Sequence, residues 1–176
     1  MQEPSFVHLR LHTEFSLVDS IVRIKPLIGA LQKQGVGACA VTDVHSFMGL
    51  IKFYKAAQGA GIKPICGCDF QIEQKDDESK PVLFTPLAQN DDGYRKITEL
   101  ISRSYQQGQT LGVPYVKYEW LEDCTEGVIA LSGGKFGDIG QALIGGRHED
   151  AVEHLSFWQK HYGDRFYIEL QRTSRE

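Results

Sequence analysis

The chain has no excess of positive charge: 19 lysines and arginines stand against 23 acids, a formal charge of −4 over 176 residues. A non-specific nucleic-acid binder displaces counterions with a broad basic face, so by net charge any work on DNA lies elsewhere or is indirect. Its four cysteines, Cys39, Cys66, Cys68 and Cys124, are too few for a disulfide-stapled secreted domain; reduced thiols in a cytoplasm fit better. No apolar run approaches a bilayer span, and Met1 to Pro4 open without the basic and apolar regions of an export signal. These absences describe a cytoplasmic protein that does not meet a membrane. Glycine-rich phosphate cradles and G-x-S-x-G elbows are also missing, and the stretch SGGKFGDIG at Ser132 to Gly140 lacks Walker spacing. Gly133 and Gly134 there read as a tight turn, with an anion nest as the lesser alternative. No fixed-period repeat or low-complexity tract occurs, which argues against a solenoid.

What is present is a 41% hydrophobic chain without a composition shift, read as one domain over residues 1–176. Phe6 to His12 nearly alternates and reads as a strand, Ser16 to Ser20 carries turn chemistry, and Pro26 opens a helix with Leu27, Ile28 and Leu31. Val36 to Asp43 suits a buried strand; the next helix has Leu50, Tyr54 and Ala57 on one stripe and stops at Gly59 and Gly61. Ile62 to Ile72 and Val82 to Ala88 are the third and fourth strands, with Glu73 to Lys80 a charged excursion between them. Asp91 and Asp92 start a helix through Tyr105, with their charges at its positive end. A loop over Gln106 to Gly112, a strand over Gly127 to Ser132, a helix with Ala151, Leu155, Trp158 and Tyr162, and a sixth strand over Phe166 to Leu170 complete the series. Trp120 and Trp158 read as core residues. The alternation predicts an α/β fold with a parallel sheet.

In such folds chemistry gathers just after the strands. The residues there are His12, Asp19, Asp43, His45, Asp69 and Glu169. Ser46 is placed to cap the following helix through its side-chain oxygen. His45 is either a ligand or a partly solvated polar group. Cys66 and Cys68, two apart on a strand, share a face, but two thiolates without a second pair make a poor zinc site; they read as small buried hydrophobes.

The segments HLRLHTEFS, VTDVHSFMGL, FYKAAQGAGIKPICGCDF, LAQNDDGYRKITELIS and GVIALSGG, in this order, resemble the polymerase-and-histidinol-phosphatase (PHP) domain at the front of bacterial replicative DNA polymerase III alpha subunits. The resemblance spans essentially the whole chain. It implies a distorted (β/α) barrel, here an incomplete N-terminal part with about six strands, C-terminally truncated and without the polymerase catalytic region. Active family members hold up to three metal ions with histidines, acids and a cysteine, for phosphoester hydrolysis. Aligned residue by residue, this chain has Arg10 where the first histidine of a His-x-His motif stands, Val44 where the histidine of Thr-Asp-His stands, with His45 displaced by one, Leu83 at a further histidine and Gly134 at the cysteine. The last histidine-bearing motif is matched by Glu169 to Thr173 without an imidazole. His12, Asp19 and Asp69 remain as a vestigial set. A guanidinium cannot ligate a cation; Arg10 is expected to take about the place of one ion and to neutralise Asp69 or Asp19.

The resemblance therefore implies a noncatalytic scaffold with no metal and no cofactor of its own, unless the vestigial site still binds a divalent ion. Its implied partners are the remainder of the polymerase alpha subunit and the proofreading exonuclease (epsilon) subunit, with DNA met only through the parent polymerase. The alternative is a metal-dependent phosphoesterase or 3′-5′ exonuclease within the domain.

Overall fold

A computed structural model describes residues 6–74 and 80–171. The chain falls into two compact units, Met1–Asp69 and Phe70–Glu176.

In the first unit, helix α1 (Ile24–Lys33) and helix α2 (Leu50–Gly59) flank two parallel strands, β1 (Ala38–Val41) and β2 (Lys63–Cys66). Each helix turns an apolar stripe inward: Ile24, Ile28 and Leu31 from α1, Leu50, Phe53 and Ala57 from α2. These meet Cys39, Val41 and Ile62 in one buried cluster, the arrangement expected of amphipathic helices on a short sheet. Pro26 sits in the first turn of α1, where its missing N–H is no loss. Beyond α2, Gly61 adopts φ +72°, a conformation glycine takes without strain.

Two expected strands are reduced. Phe6 to His12 runs beside β1 but pairs in a single parallel bridge, His8 with Cys39. Further along, the Leu11 N–H bonds the Thr42 hydroxyl at 3.0 Å instead of a carbonyl, which interrupts the ladder. Ile62 to Ile72 is not one strand: β2 ends at Cys66, and Phe70–Ile72 forms β3. Between them the chain holds the loop after β1, with Gly67 N–H to the Val41 carbonyl at 3.0 Å and His45 N–H to the Asp69 carbonyl at 2.9 Å. Cys66 and Cys68 consequently do not share a strand. Burial pushes both thiols above their ordinary pKa, which keeps them as small neutral groups.

The second unit is built on a four-stranded sheet ordered β3, β4 (Val82–Ala88), β7 (Val128–Leu131), β8 (Phe166–Tyr167). The expected parallel sheet is corrected here: β3–β4 and β4–β7 are antiparallel, and only β7–β8 is parallel. The short excursion between β3 and β4 allows a hairpin, whereas a parallel crossover needs a dozen residues or more. Of that excursion, residues 75–79 lie outside the described residues. Among the described residues the strands are short and distributed over three sheets.

Helix α3 (Asp91–Gln107) starts at Asn90, whose side chain accepts from the Gly93 N–H at 3.0 Å, and carries Asp91 and Asp92 in its first turn as expected. Gly93 is required: a Cβ there would lie 1.8 Å from the Gly127 carbonyl oxygen. The loop over Gln106 to Gly112 is instead a small hairpin of β5 (Gln109–Thr110) and β6 (Val113–Pro114). Helix α4 (Tyr118–Leu121) carries Trp120, buried beneath the Arg103 guanidinium, 4.4 Å from the ring centroid. Helices α5 (Asp138–Ile144) and α6 (His148–Tyr162) complete the unit, and Trp158 of α6 stacks on Phe84, with 4.9 Å between centroids. Both tryptophans are core residues, as their apolar neighbours implied. Among the described residues, no helix is long and apolar enough to cross a membrane.

Candidate functional site

The first unit gathers His12, Asp19, Asp43, His45 and Asp69 at the ends of its strands. Asp69 is the centre: its side chain is 0% exposed, and its Oδ2 accepts from Arg10 Nε and from His12 Nε2, each at 2.7 Å. The other ring nitrogen of His12, Nδ1, meets Asp19 Oδ2 in a short contact. The result is a hydrogen-bonded row, Asp19, His12, Asp69, Arg10. Burial acts to lower the His12 pKa, but the hydrogen bonds and negative charges of Asp69 and Asp19 outweigh it and raise the value above 6.5.

Asp43 is held differently. Its carboxylate accepts from the Thr13 N–H at 2.6 Å, the Thr13 hydroxyl at 2.7 Å and the Ser16 hydroxyl at 2.7 Å. The Thr13 side chain also caps a 3₁₀ turn over Glu14–Asp19, the segment that delivers Asp19 to His12. Asp43 thus fixes the loop that carries Asp19. Ser16 falls in the expected turn, and Thr13 supplies its cap, for which a threonine before an acidic first turn is the sequence signal.

His45 is buried, with φ +47°. Burial lowers its pKa to about 4, with the Asp69 charge pulling upward, so the imidazole is neutral near neutral pH. Ser46 does not cap α2; its hydroxyl accepts from the Met48 N–H at 3.1 Å, within the turn before the helix. α2 begins after Gly49 without a side-chain cap. Val44 pairs by its backbone with Asp69 and contributes no donor from its side chain.

The remaining positions lie in the second unit. Leu83 is a half-buried residue of β4. Gly134 has φ +59°, and a Cβ there would meet the Gln171 side chain at 3.1 Å. The Glu169 N–H bonds the Ser132 hydroxyl at 2.9 Å; Arg172 and Thr173 lie outside the described residues. This unit also holds a carboxylate that the sequence reading passed over. Asp138 is buried and accepts from Tyr118 Oη at 2.9 Å, Trp158 Nε1 at 2.8 Å and the Ile139 N–H at 2.7 Å. It ties α4, α5 and α6 together, and burial with this negative neighbour raises the Tyr118 pKa.

The row in the first unit does not fit a divalent cation. A metal needs lone pairs converging on one point, and an imidazole with a carboxylate on each nitrogen is arranged to donate from both. Arg10 adds a fixed positive charge where an ion would need room. Among the described residues, no group of three or more histidine, cysteine, aspartate or glutamate side chains is placed to hold a metal ion.

Comparison with known proteins places the chain by sequence and by fold. The chain is 50% identical over 171 residues to the DNA polymerase III subunit alpha of Pseudomonas fluorescens, covering 97% of this chain and 15% of the relative. Identity to the DNA polymerase III subunit alpha of Escherichia coli is 41% over 175 residues, 99% of this chain and again 15% of the relative. The chain therefore spans about 15% of the length of these curated relatives. An amidohydrolase from Chromobacterium violaceum shares the fold at a TM-score of 0.56 and 13% identity, over 92% of this chain and 87% of that one. The PHP domain pattern matches residues 8–173, nearly the whole length and including every member of the row around Asp69, so the chain belongs to the PHP domain family.

Proposed function

We propose that this chain is the PHP portion of a replicative DNA polymerase alpha subunit, acting in the cytoplasm as a noncatalytic scaffold. On this reading it supports the remainder of the alpha subunit and docks the proofreading exonuclease subunit. The observation that carries the noncatalytic part is the Arg10 and His12 pair on Asp69: a guanidinium and an imidazole hydrogen-bond the buried carboxylate that active relatives would offer to metal. The replicative part rests on the 50% identity to an alpha subunit along 97% of the chain.

The test is metal analysis of protein purified without a chelating tag, together with a phosphodiester hydrolysis assay. No stoichiometric zinc or manganese and no hydrolysis are expected. Stoichiometric metal, with hydrolysis abolished by His12→Ala, overturns the scaffold in favour of a metal-dependent phosphoesterase or exonuclease. Co-elution with the cognate exonuclease subunit is expected for the docking role, and its failure with folded protein removes that role.

A further inference from the structure

The net charge of −4 hides a strong local asymmetry. Between Ser20 and Cys68 the chain has six basic residues and a single acid, Asp43. Asp43 is buried and taken up by Thr13 and Ser16, so the formal charges this stretch shows to solvent are all positive. The reason is packing: α1 and α2 turn their apolar stripes into the same cluster, which leaves Lys25, Lys33, Lys52 and Lys55 exposed, joined by exposed Lys63 at the start of β2. Arg23 and Lys52 reach Glu14, at 3.9 and 3.5 Å. Among the described residues Lys25, Lys33, Lys55 and Lys63 meet no acid, unlike the paired Arg95 and Arg147 of the second unit. Lys63 also lines a shallow groove of about 670 Å³, together with Tyr54, Gln58, Gly61, Ile62 and Pro64 between the end of α2 and the start of β2. Tyr54 is 40% exposed, and its hydroxyl accepts from Gln58 Nε2 at 3.1 Å.

We propose that the α1–α2 face with this groove binds a single strand of DNA without regard to sequence. Screening limits a charge to about 8 Å at physiological salt, so local sign, not the chain's net charge, governs what this face attracts. Lysines are point charges without the planar fork that recognises a carboxylate in two places, and a series of them suits regularly spaced phosphates better than a defined acidic peptide. A half-exposed aromatic among such charges is the element that stacks on bases in single-strand sites. The choice of DNA over RNA rests on the replicative reading above; the anionic strand rests on the surface alone, and neither depends on the scaffold being noncatalytic.

The test is fluorescence anisotropy of the whole chain with a labelled oligothymidylate across a salt series. The triple variant Lys25→Glu, Lys55→Glu, Lys63→Glu should abolish binding at moderate salt. The milder Lys→Gln triple should lower the slope of log K against log salt by roughly 2, about 0.7 for each lysine lost. Tyr54→Ala should weaken binding roughly tenfold, the scale of one lost base stack, with the salt slope unchanged. A charge-matched control in the second unit, Arg95→Glu, Lys135→Glu, Lys160→Glu, should leave the slope as it was. The proposal fails if the oligonucleotide does not bind at low salt, if the control triple acts as strongly, or if an oligoglutamate peptide binds more tightly than DNA. Tighter binding of a matched RNA overturns the DNA assignment. Absence of any binding leaves the polymerase reading standing, since metal analysis and exonuclease co-elution test that separately.

Discussion

Arg10 is the residue on which the first unit turns. The Asp69 side chain is closed to solvent, and Arg10 supplies it with a charged hydrogen bond at 2.7 Å. Removing one partner of a buried pair costs about 3–5 kcal/mol; since Arg10 keeps a partly exposed side chain and His12 remains, Arg10→Ala is expected near the lower end, read as a shift in urea midpoint. An unchanged midpoint means the guanidinium contributes nothing to Asp69. The two histidines give opposite pH signs. His45 has its pKa lowered by burial to about 4 against an ordinary 6.5, so between those values the unfolded chain binds more protons than the native one. Its stability contribution is full above pH 6.5 and is lost as pH falls, by on the order of 3 kcal/mol at most. His45→Asn, which tolerates the positive φ at this position, should flatten the acid limb of stability against pH. His12 is the reverse: its pKa is raised, so its contribution is present below 6.5 and lost as pH rises through the raised value. His12→Gln should remove a loss on the alkaline side while leaving the acid limb steep. Both are checked by urea melts over a pH series.

At the level of elements, the β5–β6 hairpin turns on Leu111 and Gly112, with φ +52° and +82°. Positive φ at both central residues suits Asn-Gly; an exposed leucine there is strained and buries nothing. Leu111→Asn is therefore expected to stabilise the chain by roughly 1 kcal/mol, visible as a raised melting temperature. No change would mean that the turn relaxes in solution. The sequence alone shows a loop here, because the two strands are two residues each, too short for alternation to register. Asp138 illustrates a different limit. Its partners Tyr118 and Trp158 are each 20 positions away, a distance at which spacing carries no signal. The helices α1, α2, α3 and α6 were legible because their apolar spacing matches the helical period and their ends carry recognisable stops. Strands that depend on a partner for definition, Phe6 to His12 and Phe166 to Leu170, were overextended: pairing reaches only one bridge in the first and Phe166–Tyr167 in the second.

For the chain as a whole, exhaustive dialysis against a chelator is expected to leave the melting temperature unchanged, because the Arg10 guanidinium and the His12 ring already hydrogen-bond the Asp69 carboxylate. A clear drop in melting temperature, restored by zinc or manganese, would show that a metal is part of the fold. The alternation of helices and strands and the membership of the PHP family, whose pattern runs over residues 8–173, were readable from the order of residue types alone. These are properties of residue type and order, which survive without coordinates. It took the folded chain to show that His12 lies between two carboxylates, that Asp43 holds the Thr13 loop, that the larger sheet is mixed, and that lysines from α1, α2 and β2 are left facing solvent. Each of those follows from which side chains the packing buries and which it leaves paired, and burial is set by contacts between residues remote in sequence.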